Sequence, residues 1–248
     1  MKIKFKINKD RNFLALIYNL SRKNNPQEYE PVKFLKDYQI PDEMRRIIRA
    51  IISKEGNLSE EIAQIPILKN IYALNKGVWE DYWKKNKPLL EEIKRKLEKM
   101  AAAFDLSKIE KCAKFFEAEI PKEIIFYLCA GAINEVGRGT GMSDYVYIMF
   151  PRKFNAHNDT TVSYDFAVIV HEVVHTLQKD IYYNEQRGFI EAVTRAFAPR
   201  GILINRDKID KGTPEEKLIP IIENAIEEGK TFREIRQNLL KIYSDIQK

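Results

Sequence analysis

The chain has 248 residues, of which 44% are hydrophobic and 31% are charged, so it has enough apolar side chains to bury a core. Its formal net charge is +6, from 42 basic and 36 acidic residues. Lys and Arg alternate with Glu along predicted helices, which is typical of solvated faces and not of the clustered basic stripe of a nucleic-acid-binding protein. Binding of nucleic acid through the Lys-rich residues 84–99 therefore stays only an alternative.

Two cysteines, Cys112 and Cys129, are too few for a disulfide framework, and both lie in apolar surroundings. We expect two buried, reduced thiols, as in a protein of a reducing compartment. The first residues contain no apolar stretch of signal-peptide length. No run approaches the ~18 apolar residues needed to span a bilayer. These features together predict a cytoplasmic protein without a membrane partner.

Helical periodicity predominates in the first half of the chain, which predicts helices in the ranges 12–23, 42–54, 58–76 and 79–103. Pro66 separates two short helices in the third range, and Pro88 predicts a break in the fourth. We expect residues 1–105 to form an N-terminal strand and helical subdomain that makes one wall of a cleft. Residues 106–248 are then predicted to form the catalytic domain.

Strand signals are few and occur in three segments, residues 2–8, 123–130 and 145–150. Between the last two, Gly137 to Gly141 carries three glycines without the spacing of a phosphate-binding loop, which predicts a loop that joins two strands. We expect an α+β protein, mainly helical, with a small mixed sheet. The predicted helices 163–180 and 184–198 should pack against each other with a metal ion between them.

The segment with the clearest chemistry is His171-Glu172-Val173-Val174-His175, within the apolar helix predicted at 163–180. Residues four apart share one helix face, so the two imidazoles are close enough to bind one metal ion. Glu172 lies beside them and can act as a general base toward a water that the metal activates. Two of the three histidines of the chain fall in this motif, and burial of such groups is unfavourable unless they are partnered.

A zinc hydrolase needs a third protein ligand and one open position. No histidine follows His175 in the sequence, so we expect a carboxylate. Glu191 lies in the middle of the apolar helix predicted at 184–198, and Gly188, one turn earlier, is expected to let the two helices approach closely. Glu185 is the alternative ligand. A surface pair of Glu191 with Arg195 is the simplest structural explanation of Glu191, and Arg195 is equally suited to orient it.

The H-E-V-V-H segment, with Glu191 followed by Ala192 on the next helix, resembles the gluzincins, the thermolysin-like clan of zinc peptidases. The resemblance covers about residues 120–200, and Glu191 lies only sixteen positions after His175. It implies one zinc ion per chain, held by His171, His175 and Glu191. It also implies Glu172 as the catalytic base, a peptide or protein substrate, and a sheet whose edge strand pairs with that substrate. Residues 145–150 are the candidate for this strand.

Gluzincins also use a Tyr or His donor to stabilise the oxyanion, and sequence does not choose among the candidates in this chain. These candidates are His157, Tyr183, Arg195, Arg200 and Tyr243. His157 is also consistent with an ordinary solvated loop histidine. Another alternative is a non-catalytic binding module stabilised by a closed metal site, with Cys129 as the residue to fill the fourth position.

Overall fold

The computed structural model describes residues 1–21, 41–52, 57–132, 138–139, 145–151, 159–182, 184–199, 201–204 and 212–246. Their elements are β1 (Lys2–Lys6), α1 (Lys9–Ser21), α2 (Asp42–Ile52), α3 (Leu58–Gln64), α4 (Pro66–Leu74), α5 (Lys76–Ala103), α6 (Ser107–Phe115), β2 (Glu123–Ala132), β3 (Arg138–Gly139), β4 (Tyr145–Pro151), α7 (Asp159–Leu177), α8 (Lys179–Tyr182), α9 (Arg187–Phe197), α10 (Pro214–Glu227) and α11 (Phe232–Ile246). The prediction of a mainly helical α+β fold is confirmed. Across these ranges, every helix is too short or too polar to cross a membrane.

The four strands form one mixed sheet in the order β1-β2-β4-β3. The first three are parallel to one another, and β3 pairs antiparallel with β4. The expectation that residues 145–150 form the edge strand is wrong, because β4 is hydrogen-bonded on one side to β2 and on the other to β3. In the described part of the chain, β3 is the edge strand on that side, although the segment around it had been predicted as a loop.

Helices cover both faces of the sheet, which explains why β2 is apolar at almost every position. Alternate residues of a strand point to opposite faces. Ile124, Phe126 and Leu128 join a core built from β1, the second half of α5, and α6, α7, α9, α10 and α11. Tyr127 and Cys129 face a second core built from α1 to α4 and the start of α5. The sheet therefore separates two apolar cores, and α7 and α9 belong to the first.

The helix α5 is continuous from Lys76 to Ala103, with Pro88 inside it, so the predicted break is wrong. Proline removes one backbone donor and leaves the carbonyl of Lys84 without its helical partner. Both Lys84 and Pro88 are exposed, so water can satisfy that carbonyl. The opposite face of the helix buries Leu90 and Leu97 in the core. That burial keeps the helix intact past the proline.

The proposed division between residues 105 and 106 stays a prediction. The sheet itself crosses it, because β1 pairs with β2 from Lys2 opposite Glu123 to Lys6 opposite Tyr127. The helix α5 also contacts α7, β1 and β2. The first hundred residues therefore support the elements that carry the predicted site.

Candidate metal centre

The helix α7 forms because its apolar residues are buried, not because of its intrinsic preference. Its sequence is rich in β-branched residues, which are weak helix formers, and tertiary burial supplies most of the stability of such a helix. The buried residues of its second half include Phe166, Ile169, Val170, Val173, Val174 and Leu177. His171 and His175 lie on the edge of this buried surface and face α9.

The helix α9 buries most of its surface but leaves one carboxylate facing α7. Phe189, Ile190 and Val193 are fully buried. Glu191 lies between them in sequence and keeps 30% of its side-chain surface exposed. Helices α7 and α9 pack directly against each other. The contact confirms the expected packing of the two helices and brings Glu191 to the two histidines.

Three potential ligands converge between α7 and α9. One oxygen of Glu191 lies 3.3 Å from His171 Nε2, and the other lies 3.3 Å from His175 Nε2. One ligand atom from each of the three residues lies within 4.8 Å of the others. Two atoms bound to a tetrahedral zinc at 2.0–2.1 Å are about 3.3–3.4 Å apart. The observed separations are therefore those of neighbouring ligands around such an ion.

The other ring nitrogen of each histidine faces an oxygen of α9 or of Ala198, the residue that follows α9. His171 Nδ1 lies 2.9 Å from the carbonyl oxygen of Ala198, and since a carbonyl only accepts, the proton must be on Nδ1. His175 Nδ1 lies 3.5 Å from the hydroxyl of Thr194. With Nδ1 protonated, Nε2 has its lone pair directed at Glu191. Lone pairs and a carboxylate pointing at one another require a cation between them, either a proton or a metal ion.

Sequence analysis did not identify Thr194 and Ala198 as part of this site. Thr194 lies three residues after Glu191 in α9, and Ala198 is the extended residue that follows the helix. That spacing was present in the sequence, but neither residue type signals metal binding. The acceptor at Ala198 is a backbone carbonyl, for which side-chain identity gives no signal.

The charges of the cluster alter the pKa values of its members. Burial alone would lower the pKa of His171, but the hydrogen bond with Glu191 and the charges of Glu172 and Glu191 outweigh it and raise that pKa. Burial would raise the pKa of Glu191, but the hydrogen bonds with His171 and His175 hold it well below its usual range. Without a metal, these shifts favour the charged forms of both groups, a protonated His171 beside an ionised Glu191.

The pKa of Glu172 is shifted in the opposite direction to that of Glu191. It is 7% exposed, and burial raises the pKa of its carboxyl, although the two neighbouring histidines act to lower it. Its backbone carbonyl accepts a hydrogen bond from the hydroxyl of Thr176. Glu172 lies outside the group that can hold the ion. A carboxylate near the ligands, with a raised pKa, is suited to accept and release a proton.

Glu185, the alternative third ligand, is directed elsewhere. Both of its carboxylate oxygens bind the guanidinium of Arg236 on α11, with Oε2 lying 2.9 Å from Nη2. Arg195 takes the position expected for a partner of Glu191, because its Nε lies 3.5 Å from Oε1 of Glu191. Its Nη1 lies 3.8 Å from the buried carboxylate of Glu215. The structure therefore brings Glu191, and not Glu185, to the histidines.

The expected role of Gly188 is wrong. A Cβ at that position would lie 2.5 Å from the hydroxyl oxygen of Tyr243, so Gly188 allows a close approach of α11 and not of α7. Tyr243, one of the candidate oxyanion donors, thus packs against the start of α9. The other candidates His157, Tyr183 and Arg200 lie outside the described residues.

Cys129 does not belong to the metal-ligand group. Its thiol is fully buried in the core on the opposite face of the sheet, and its sulfur lies 3.7 Å from the carbonyl oxygen of Tyr127. Among the described residues, the group that could hold an ion has three members. Three protein ligands are the number found in catalytic zinc sites, which keep the fourth position open.

Comparisons of the chain with protein-family models, with curated proteins and with solved structures found no match. The resemblance to gluzincins therefore depends on the motif residues alone.

Proposed function

We propose that the chain is a zinc-dependent peptidase. The observation that carries the proposal is the convergence of His171, His175 and Glu191, with ligand atoms within 4.8 Å of one another, beside the buried Glu172. Both histidines have an acceptor opposite Nδ1, which leaves Nε2 for the metal. This donor set of two imidazoles and one carboxylate is typical of catalytic zinc.

Zinc and Glu172 would have different roles in the reaction. When bound, zinc would act as a Lewis acid and lower the pKa of a bound water to about 7. Glu172 would accept a proton from the attacking water as the new C–O bond forms. It would then donate that proton to the amine nitrogen as the C–N bond breaks. The raised pKa of Glu172 supports this role, because a carboxyl that is protonated more easily transfers a proton better at neutral pH.

An extended peptide is the substrate that best suits the sheet. In the described part of the chain, β3 and β1 are the two edge strands, and β3 contacts α7, the helix of the two histidines. An edge strand offers unpaired backbone donors and acceptors to an added strand. These features favour peptide hydrolysis over hydrolysis of small esters or amides, which need no such edge. We propose an endopeptidase or an aminopeptidase.

The test compares metal content and cleavage in four forms of the full chain. Wild type, Glu172→Gln and Glu185→Gln should each bind about one zinc ion per chain, and Glu191→Gln should lose it. Glu185→Gln is the matched control, since it makes the same change on a carboxylate bound to Arg236. A peptide library should be cleaved by wild type, with rates roughly 10²–10⁴-fold lower for Glu172→Gln.

Two results would count against the proposal. A wild-type chain that is purified without chelators, offered zinc and binds none would remove the metal centre. Zinc binding without cleavage of any library peptide would instead favour a metal-stabilised binding module.

A further inference from the structure

Thr194 is a fully buried residue of α9 whose hydroxyl contacts three polar groups. Its oxygen lies 2.7 Å from Oε1 of Gln178, 2.8 Å from the carbonyl oxygen of Ile190 and 3.5 Å from Nδ1 of His175. Gln178 is also fully buried, one turn beyond His175 in sequence. Its Nε2 has no hydrogen-bond partner among the described residues. A buried polar atom without a partner calls for an explanation.

The direction of these hydrogen bonds follows from the proton of the hydroxyl. Thr194 has one proton to donate, so it cannot serve both the Ile190 carbonyl and Oε1 of Gln178 as acceptors. With the amide oxygen and nitrogen of Gln178 exchanged, the NH₂ donates to Thr194 and the hydroxyl donates to Ile190. The hydroxyl oxygen therefore has only lone pairs left for His175, so Nδ1 must be the donor. This orientation of the Gln178 amide also gives its buried nitrogen a partner.

We infer that Thr194 is a positioning residue for His175, held in place by Gln178, and this inference depends on the metal centre of the proposed function. The hydroxyl oxygen accepts the Nδ1 proton of His175. That hydrogen bond fixes the tautomer whose Nε2 lone pair faces the metal, and it limits rotation of the ring. The carbonyl of Ala198 has the same role for His171. The helix α9 and the residue that follows it therefore supply one ligand and the acceptors that orient the other two.

The test measures zinc affinity by competition with a chelator for wild type, Thr194→Ser, Thr194→Val and Val193→Ala. Thr194→Ser keeps the hydroxyl, whereas Thr194→Val keeps the shape and removes it. Val193→Ala is the matched control, because Val193 is fully buried in the same helix and none of the polar contacts of the site involves its side chain. We expect Thr194→Val to bind zinc about 10–100-fold more weakly and the other two variants to stay near wild type.

A second measurement observes the Nδ1 proton of His175 directly. In protein labelled with ¹⁵N-histidine, His175 should carry a slowly exchanging proton on Nδ1, both without metal and with zinc. The ring signals are assigned by their loss in His175→Gln. Because the chain has three histidines, the spectrum is simple. The same proton should persist in Thr194→Ser and exchange faster in Thr194→Val.

The outcomes separate this inference from the proposed function. Equal zinc affinity of wild type, Thr194→Ser and Thr194→Val would overturn the role of Thr194 and leave the metal centre standing. An Nδ1 without a proton in wild type would overturn it as well. A loss of affinity in Val193→Ala as large as in Thr194→Val would show that helix stability is responsible, and would also overturn it. A wild-type chain that binds no zinc would remove the metal centre and this inference with it.

Discussion

Arg236 holds Glu185 by two hydrogen bonds, with Nη2 2.9 Å from Oε2 and Nε in contact with Oε1. The pair joins α11 to the residues that precede α9, and it occupies the carboxylate that would otherwise compete with Glu191. Glu185 and Arg236 are 51 residues apart in sequence. The ion pair therefore has a structural role that can be separated from metal binding.

We predict that Glu185→Gln destabilises the fold by about 1–3 kcal/mol, the range for hydrogen bonds to charged groups, without loss of zinc. Unfolding in urea gives the free energy, and elemental analysis gives the metal content. Arg236→Gln should cause a loss of similar size, since it breaks the same pair. Loss of zinc from a folded Glu185→Gln chain would contradict this separation.

Zinc affinity should fall as the pH falls through the pKa of His171. That pKa is raised above its ordinary value of 6.5, and the proton has to leave before Nε2 can bind a metal. Calorimetry in buffers of different ionisation enthalpy, between pH 6 and 8.5, measures the protons released. We expect proton release to be largest at the low end of this range. Affinity that is constant from pH 6 to 8.5 would contradict the prediction.

In the metal-free protein, the same pKa shifts predict how stability depends on pH. The raised pKa of His171 stabilises the fold fully below the unfolded pKa of about 6.5, and this contribution is lost as pH rises through the folded pKa. The lowered pKa of Glu191 stabilises it above about pH 4.3, and this contribution is lost as pH falls through the folded pKa.

Replacement of Glu191 by Gln removes both contributions. The difference in free energy of unfolding between wild type and Glu191→Gln, without metal, should therefore be largest between about pH 4.3 and 6.5. Urea unfolding of both proteins at pH 5.5 and pH 8.5, in the presence of a chelator, measures this difference in free energy. A difference that grows towards pH 8.5 would have the wrong sign for an imidazolium–carboxylate pair.

Gly201 should be required for the turn that presents Ala198 to His171. After α9 the chain folds back, with the amide of Ile202 donating to the carbonyl of Ala196 at 3.0 Å. A Cβ on residue 201 would lie 2.5 Å from that carbonyl oxygen. Gly201→Ala should therefore destabilise the protein by about 1–3 kcal/mol and weaken zinc binding.

The matched control for this substitution is Gly77→Ala. Gly77 lies near the start of α5, and a Cβ there meets no atom within 4 Å. Because alanine is the better helix former, the control should be neutral or stabilise by up to about 1 kcal/mol. Thermal unfolding with and without zinc compares the stability of Gly201→Ala with that of Gly77→Ala. Equal behaviour of both variants would show that the turn tolerates a side chain.

Both cysteines should be unreactive in the folded protein. Cys112 and Cys129 are fully buried, and burial raises the pKa of the Cys129 thiol to about 12, although Arg11 acts to lower it. A thiol-specific reagent at pH 8 should label neither residue until denaturant is added, after which it should label both. Cys129→Ala should keep its zinc, since Cys129 faces the other core. Rapid labelling of native protein would contradict the described burial.

The sequence was sufficient for the parts of the site that depend on one helix. His171 and His175 share a face because they are four residues apart, whatever surrounds the helix. Strand β2 was predictable because an apolar run of this length has to be buried on both faces. The apolar surroundings of Glu191 favoured it over Glu185 from sequence, but the contact that engages Glu185 was not predictable, because Arg236 is 51 residues away.

The features that sequence did not reveal depend on tertiary contacts. Strand β3 consists of Arg138 and Gly139, which carry no strand signal and become a strand only by pairing with β4. Pro88 does not interrupt α5, because water can satisfy the carbonyl left without a partner. Thr194 orients His175 only because α9 packs on α7. In each case a neighbouring element determined the outcome, and local preference did not.

The pairing of β1 with β2 has a consequence for expression of partial chains. A fragment that starts at residue 106 would lose β1 and the helices over Ile125, Tyr127 and Cys129, which belong to the second core. It would then expose both an unpaired edge and an apolar face of β2, the combination that leads sheets to aggregate. The predicted catalytic half is therefore expected to be insoluble by itself, and co-expression with residues 1–105 should restore soluble material.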